Sequence, residues 1–232
     1  MMLRIIQKKL STMGIQVAKW PAAPFVSPSV FDMCLNQKWV FEKGEAFRFI
    51  QVGANDGISG GDPLRKHILG RGWTGILIEP QPDVFLKLKA NYADQSRLHF
   101  ENVGVSHVER QMTLYRNQVE NTTASLDQSV LNAHRDSSTT EEIEIQCVRL
   151  DSIIEKYELD DIDLLQVDTE GHELEVMQSI DLGSFRPRII HFEHGHLSRE
   201  RLNTLIMLLD SAGYEIHYGG KQYIDSLALL PE

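Results

Sequence analysis

A chain of 232 residues, 42% hydrophobic and 24% charged, suits one domain with an ordinary core and is too apolar for wholesale disorder. Its net charge of −10 argues against a nucleic-acid partner, because phosphate backbones are bound by clustered Lys and Arg. Cys34 and Cys147 lie far apart with no metal-ligand pattern, and no apolar run reaches membrane-span length, so a cytoplasmic chain with free thiols and no stable membrane insertion is expected.

The N-terminal stretch carries Arg4, Lys8, Lys9 and Lys19 and no acid, while Leu3, Ile6, Leu10, Met13 and Val17 recur at helical spacing. It reads as a basic amphipathic helix that packs on the domain as a lid or a homo-oligomer contact, in preference to a membrane-surface or transit segment. Pro21, Pro24 and Pro28 end it. The chain thus divides into an N-terminal region, 1–45, and a main domain, 46–232. The sequon at Asn121 is accidental in a cytoplasmic protein.

From Phe47 onward short apolar runs alternate with helical ones, the pattern of an α/β fold with a parallel sheet covered on both faces. Phe49 to Val52 is the first strand. It runs into a roomy loop from Gly53 to Gly61, after which Asp62 and Pro63 open a helix to about Leu69. Ile76 to Ile78 is the second strand, ending at Glu79-Pro80, and a helix from Asp83 to Tyr92 follows with Phe85, Leu86 and Leu88 inward. Leu98 to Val105 is the third strand. Met112–Tyr115 and Ile143–Val148 alternate and pair as an added hairpin. Between them the polar stretch from Asn117 to Glu142 reads as an acceptor-site lid or a poorly ordered loop. Leu164 to Val167 precedes Asp168-Thr169-Glu170-Gly171 and a helix through Ile180. Ile189 to Phe192 ends in Glu193-His194-Gly195-His196. A helix from Ser198 to Ala212, stopped by Gly213, and an antiparallel pair, Tyr214–Tyr218 with Ser226–Leu230, close the chain.

A Gly-rich turn after the first strand and a carboxylate at the tip of the second make a nucleoside-cofactor site, with Glu79 accepting the ribose hydroxyls. The G-x-G-x-x-G spacing of a pyrophosphate-binding turn is absent. That points away from a dinucleotide and towards S-adenosylmethionine.

Gly53-Ala54-Asn55-Asp56-Gly57, Glu79-Pro80, Leu150-Asp151 and above all Asp168-Thr169-Glu170-Gly171-His172-Glu173 resemble the FkbM-type S-adenosylmethionine-dependent methyltransferases, over roughly Phe49 to Glu193. The resemblance implies a Rossmann-like seven-stranded methyltransferase sheet, mostly parallel with a C-terminal antiparallel hairpin. It also implies O-methylation of a hydroxyl on a sugar or sugar-bearing metabolite. It places Gly53 and Gly57 beside the methionine moiety, Asn55 and Asp56 on its amino and carboxylate groups, Glu79 on the ribose, and Asn102 and Val103 about the adenine. Asp168 lies beside the methyl group. Such proteins carry a lysine two positions before that aspartate; this chain has Gln166, so no lysine role transfers.

A hydroxyl acceptor must lose its proton, and a placed general base contributes roughly 10²–10⁴-fold. Candidates for the catalytic groups are Asp168, Glu170, Glu193 and His194, with His172 also in view. Capping and complementing the following helix is the competing role for Glu170 and His172, and Glu173 suits the dipole better than catalysis. Asp168, Glu193 and a nearby histidine also have the chemistry of a divalent-metal site, but a base without metal needs fewer coincidences, so no metal is assigned. Two other readings stand beside this one: an NAD-dependent oxidoreductase, which calls for a compact phosphate turn opening directly into a helix, and a methyltransferase-fold scaffold that has lost transfer activity.

Overall fold

The computed structural model describes residues 30–117, 124–128, 130, 140–159, 161–218 and 225–231. The basic N-terminal helix, its proline-rich linker, Asn121 and most of the polar stretch before Glu142 lie outside them.

In chain order the strands are β1 (Arg48–Val52), β2 (Thr74–Ile78), β3 (Leu98–Glu101), β4 (Gly104–Val105), β5 (Arg110–Asn117), β6 (Ala124–Ser125), β7 (Thr140–Val148), β8 (Leu164–Val167), β9 (Ile189–Glu193), β10 (Glu215–Tyr218) and β11 (Asp225–Leu229). The described helices are α1 (Val30–Leu35), α2 (Lys38–Lys43), α3 (Arg65–Arg71), α4 (Pro82–Asn91), α5 (Leu150–Lys156), α6 (Glu173–Met177) and α7 (Arg199–Ser211).

A 7-stranded sheet runs in the order β10-β11-β9-β8-β1-β2-β3, and a 4-stranded sheet in the order β4-β7-β5-β6. In the large sheet β1 pairs in parallel with both β2 and β8, so strand order reverses between β1 and β8. Ligands bind open α/β sheets at the carboxyl ends of strands beside such a reversal. β11 alone runs antiparallel, inserted between β9 and β10. This is the Rossmann-like methyltransferase order.

Alternation along the strands assigns each face its own core. Ile50, Val52, Ile76, Ile78, Leu165, Val167, Ile190 and Phe192 pack with α5, α6 and α7. Phe49, Leu77, Leu164 and Ile189 pack on the other face with residues of α1 to α4. α1 and α2 join this second core through Phe31, Cys34, Leu35 and Val40. That second face also carries a polar row, because Gln51, Gln166 and His191 are cross-strand neighbours there, all buried. His191 stacks on Phe31 at 3.9 Å between ring centroids.

Several expected bounds shift for physical reasons. The third strand divides: β3 ends at Glu101 and β4 leaves for the small sheet, because the Asn102 amide donates to the carbonyls of Glu79 (2.8 Å) and Pro80 (3.0 Å) at the corner. The helix after Gly171 stops at Met177, well short of Ile180. Leu86 faces solvent, 67% exposed, while Val84 and Leu88 point inward. The hairpin of β5 and β7 pairs from Arg110↔Cys147 to Asn117↔Thr140 and belongs to the second sheet. No helix among the described residues is long and apolar enough to cross a membrane.

Candidate active site

At the carboxyl ends of β1, β2 and β8 lies a cavity of about 360 Å³. Gly53, Ala54, Asn55, Glu79 and Asp168 form its floor and rim, while Val103, Val105, Leu114, Leu126 and Ile145 give it an apolar wall. The size is that of a small-molecule site, and the lining is divided about evenly between apolar and polar groups.

The loop after β1 is built by its own hydrogen bonds. Gly53 and Ala54 N–H groups both donate to the Ile78 carbonyl at 3.0 Å. Asn55, at φ 48°, gives its N–H to Glu79 Oε2 at 2.9 Å. Gln81 N–H donates to Glu79 Oε1 at 3.0 Å. The Asp56 carboxylate is taken up within its own loop, accepting from the N–H groups of Ile58 (2.9 Å) and Ser59 (2.6 Å) and the Ser59 hydroxyl (2.7 Å). The need for glycine at Gly53 comes from the protein itself, since a Cβ there would sit 1.7 Å from the Asp168 carbonyl oxygen at a φ of +80°. At Gly57 it would sit 2.4 Å from the Tyr92 ring. These glycines bring β1, β8 and α4 together, and Gly57, Asp56 and Asn102 stand behind the lining.

Glu79 is 3% exposed, and burial pushes its carboxyl up to about 7 against the N–H donors of Gln81 and Asn55. Each carboxylate oxygen still has acceptor capacity for a ligand hydroxyl. Beside Glu79, the lining atoms Gln51 Oε1 and Asp62 Oδ2 are buried with no hydrogen-bond partner among the described residues, as is Glu170 Oε2 apart from its ion-pair contact with His196. The sequence marks Asp62 only as a helix opener and does not mark Gln51 at all, since it is one more residue inside an apolar strand. Its signal was an amide interrupting that strand opposite a second amide, Gln166, which is fixed by a hydrogen bond with His191. S-Adenosylmethionine fits these residues: the apolar wall suits adenine, Glu79 suits two ribose hydroxyls, and the orphaned acceptors of Gln51 and Asp62 suit an ammonium group.

Beyond β8 the chain turns sharply through Glu170 (φ 53°) and Gly171 (φ 100°). Glu173, 1% exposed, pins this turn: its Oε1 accepts from Thr169 N–H (3.0 Å), the Thr169 hydroxyl (3.0 Å) and Gly171 N–H (3.1 Å). The Ser125 hydroxyl of the small sheet donates to the Glu170 carbonyl at 2.7 Å. Burial raises Glu173 to about 7.

Asp168 opens onto the cavity, so it keeps accessible surface, yet protein crowds it on its other sides. Its carboxyl and that of Glu193, at the end of β9, are hydrogen-bonded to each other. Such a contact holds a proton between two carboxylates. Burial, then the charges of Glu193, Glu170 and Asp225, raise Asp168 well above the usual carboxylate range; burial also lifts Glu193, to about 7. His196 Nε2 lies 2.9 Å from Glu170 Oε2 and 4.0 Å from Glu193 Oε1. His194 is turned to the Ser226 hydroxyl at 3.1 Å. His172 lines the cavity, meeting the Ser106 hydroxyl at 3.0 Å, and burial lowers its pKa. The structure thus gathers Asp168, Glu170 and Glu193, adds His196, and places His194 at their edge.

The loop from Gly53 to Asp62 separates β1 from α3, which begins at Arg65. A phosphate turn opening directly into a helix is therefore absent from this position.

No curated protein matches the chain in sequence. Among solved structures, the Methanococcus jannaschii fibrillarin pre-rRNA processing protein is similar at 9% identity and a TM-score of 0.46, over 79% of this chain and 66% of that one, just under two thirds of its length. An RNA methyltransferase from Salinibacter ruber, in complex with S-adenosyl-L-homocysteine, aligns at 12% identity and a TM-score of 0.42, over 90% of this chain and 95% of that one. The N-terminal domain of human METTL16, in complex with SAH, aligns at 15% identity and a TM-score of 0.45, over 99% and 82%. At such identities none of them speaks for the acceptor. The methyltransferase FkbM domain profile matches residues 51–216, which run from the end of β1 through β9 and include the Glu79 corner and the turn at Asp168. The chain belongs to the FkbM methyltransferase family, whose cofactor is S-adenosylmethionine.

Proposed function

We propose that the protein methylates a hydroxyl group of a sugar or sugar-bearing metabolite. The observation that carries this reading is the Asp168–Glu193 carboxyl pair, set at the ends of β8 and β9 where Asp168 opens onto the cofactor cavity. S-Adenosylmethionine, when bound, supplies an electrophilic methyl group. Glu79 holds its ribose, Gln51 and Asp62 take its ammonium group, and Val103, Leu114 and Ile145 exclude water around its base. Asp168 and Glu193 orient the acceptor hydroxyl and receive its proton. A neutral hydroxyl is a poor nucleophile, so timely proton removal is the chemistry this pair adds. Glu170 and His196 steady the pair from its open side. An acidic surround suits a neutral polyol acceptor better than an anionic one.

The test is single-turnover methyl transfer to a panel of glycosides and polyols. Asp168→Asn and Glu193→Gln are expected to cut turnover on the order of a hundredfold or more while S-adenosylhomocysteine still binds. Full activity in both variants would remove the base role. Transfer to amines but to no hydroxyl would overturn the acceptor class. Cofactor binding without transfer to any acceptor would favour a scaffold.

A further inference from the structure

We propose that Glu170, Glu193 and His196 form a binding site for a divalent cation of the Mn2+ or Mg2+ class, at the mouth of the cofactor cavity. Each offers a ligand atom, and these atoms lie within 4.8 Å of one another. With metal–ligand bonds of about 2.1 Å, adjacent ligands in an octahedron stand about 3 Å apart and opposite ones about 4.2 Å. His196 Nε2 stands 2.9 Å from Glu170 Oε2 and 4.0 Å from Glu193 Oε1, so the set is spaced to close on one ion with little movement.

The surroundings favour a cation independently of that spacing. Glu173 is 1% exposed, its Oε2 has no hydrogen-bond partner among the described residues, and it lies close enough to act on both Glu193 and His196. Asp168 and Asp225 add further carboxyls against Glu193. A concentration of acids about one buried carboxyl, the others half-buried or open to solvent, is costly unless protons or a cation neutralise it.

The ligands are also held in place. Glu170 sits in the turn fixed by Ser125 and Glu173. Glu193 ends a strand paired on both sides, with β8 and β11. His196 sits in a tight turn closed by the Leu197 N–H on the His194 carbonyl at 3.1 Å. Two carboxylates with one imidazole suit Mn2+ better than Mg2+, which prefers oxygen alone and retains its waters. Of the three ligands Glu170 lines the cavity, which places the site beside it; an ion held there has coordination positions left over. If the hydroxyl-acceptor reading holds, and on that reading only, they suit acceptor oxygens, whose protons become more acidic on coordination.

The experiment is titration of the full chain, stripped with EDTA and dialysed, with MnCl2, followed by the loss of the free-ion EPR signal and by calorimetry. The wild type is expected to bind one Mn2+ with micromolar affinity, and His196→Ala and Glu170→Gln to weaken it by at least about tenfold. Thermal melts of both variants check that they fold. His196→Asp, which restores an oxygen ligand, is expected to recover part of the affinity. Absence of Mn2+ binding to the wild type at millimolar ion, or equal binding by the folded variants, overturns the site. Mn2+ binding without methylation of any polyol upholds the site while removing the acceptor reading. Methylation by metal-free protein with no Mn2+ binding does the reverse.

Discussion

Glu79 shows how one side chain does structural and ligand-binding work together. It is a buried carboxylate that closes the loop after β1 through the Asn55 N–H and secures the corner through the Gln81 N–H. Its pKa is raised to about 7 by burial, so ribose hydroxyls donating to the charged form favour proton release. Cofactor affinity is therefore expected to strengthen as pH rises towards and through 7, with proton release measured by calorimetry in buffers of different ionisation heats. Glu79→Gln should weaken cofactor binding by at least about tenfold and flatten that pH dependence, since a hydrogen bond to a charged group is worth roughly 1.5–3 kcal/mol. Gln51→Leu, which removes the unpartnered Oε1 from the lining, should lower affinity for S-adenosylhomocysteine without lowering the melting temperature. Glu79 and Asp168 were legible in the sequence because a carboxylate directly after an apolar strand is conspicuous. Gln51 and Asp62 were not, because their importance comes from neighbours on other strands and turns; the histidine cluster after Glu193 was conspicuous, but not that His196 is the one that reaches Glu170.

At the scale of elements, the turn between β1 and the following loop is set by contact with β8. Gly53→Ala would drive a methyl group into the Asp168 carbonyl at a positive φ, so β1 and β8 must part or the turn must rebuild. Severe destabilisation or loss of soluble protein is the expected result, read by thermal melting. Ser198 caps α7, its hydroxyl accepting from Arg201 N–H at 3.3 Å, and Ser198→Ala should cost about 1 kcal/mol with no effect on cofactor affinity. Strand and helix order were readable from periodicity, because the central strands of the large sheet, β1, β2, β8 and β9, are short apolar runs. The division of the third strand at Asn102 was not, for it depends on carbonyls from the β2 corner. Nor were α1 and α2, whose apolar residues gain meaning only from the sheet face they cover.

For the whole molecule, opposing titrations set the response of stability to pH. Glu79 and Glu173 are raised from 4.5 to about 7 by burial, so their contribution is full below 4.5 and is lost as pH rises through 7. His67 and His191, buried and held neutral, are lowered from 6.5 to about 4 and about 3, so theirs is full above 6.5 and is lost as pH falls through those values. Glu193, also raised to about 7, and Asp168, raised well above the carboxylate range, act in the same sense as Glu79 and Glu173, so the ligand-free protein should lose melting temperature as pH rises through 7, and Glu173→Gln should raise the melting temperature more at pH 8 than at pH 5. The described part of the N-terminal region belongs to this whole as well. Truncation to residue 44 strips Phe31, Cys34, Leu35 and Val40 from the second core and should lower the melting temperature sharply.

The small sheet has a consequence for how such a protein diversifies. The chain leaves the large sheet after β3 and rejoins it at β8, and the strands between pair among themselves. This excursion supplies Leu114, Ala124, Leu126 and Ile145 to one wall, while Glu79, Asp168 and Glu193 stay on the unbroken frame. Lengthening its turns would reshape the apolar wall about the base, while the Glu79, Asp168 and Glu193 carboxylates keep their places on the frame.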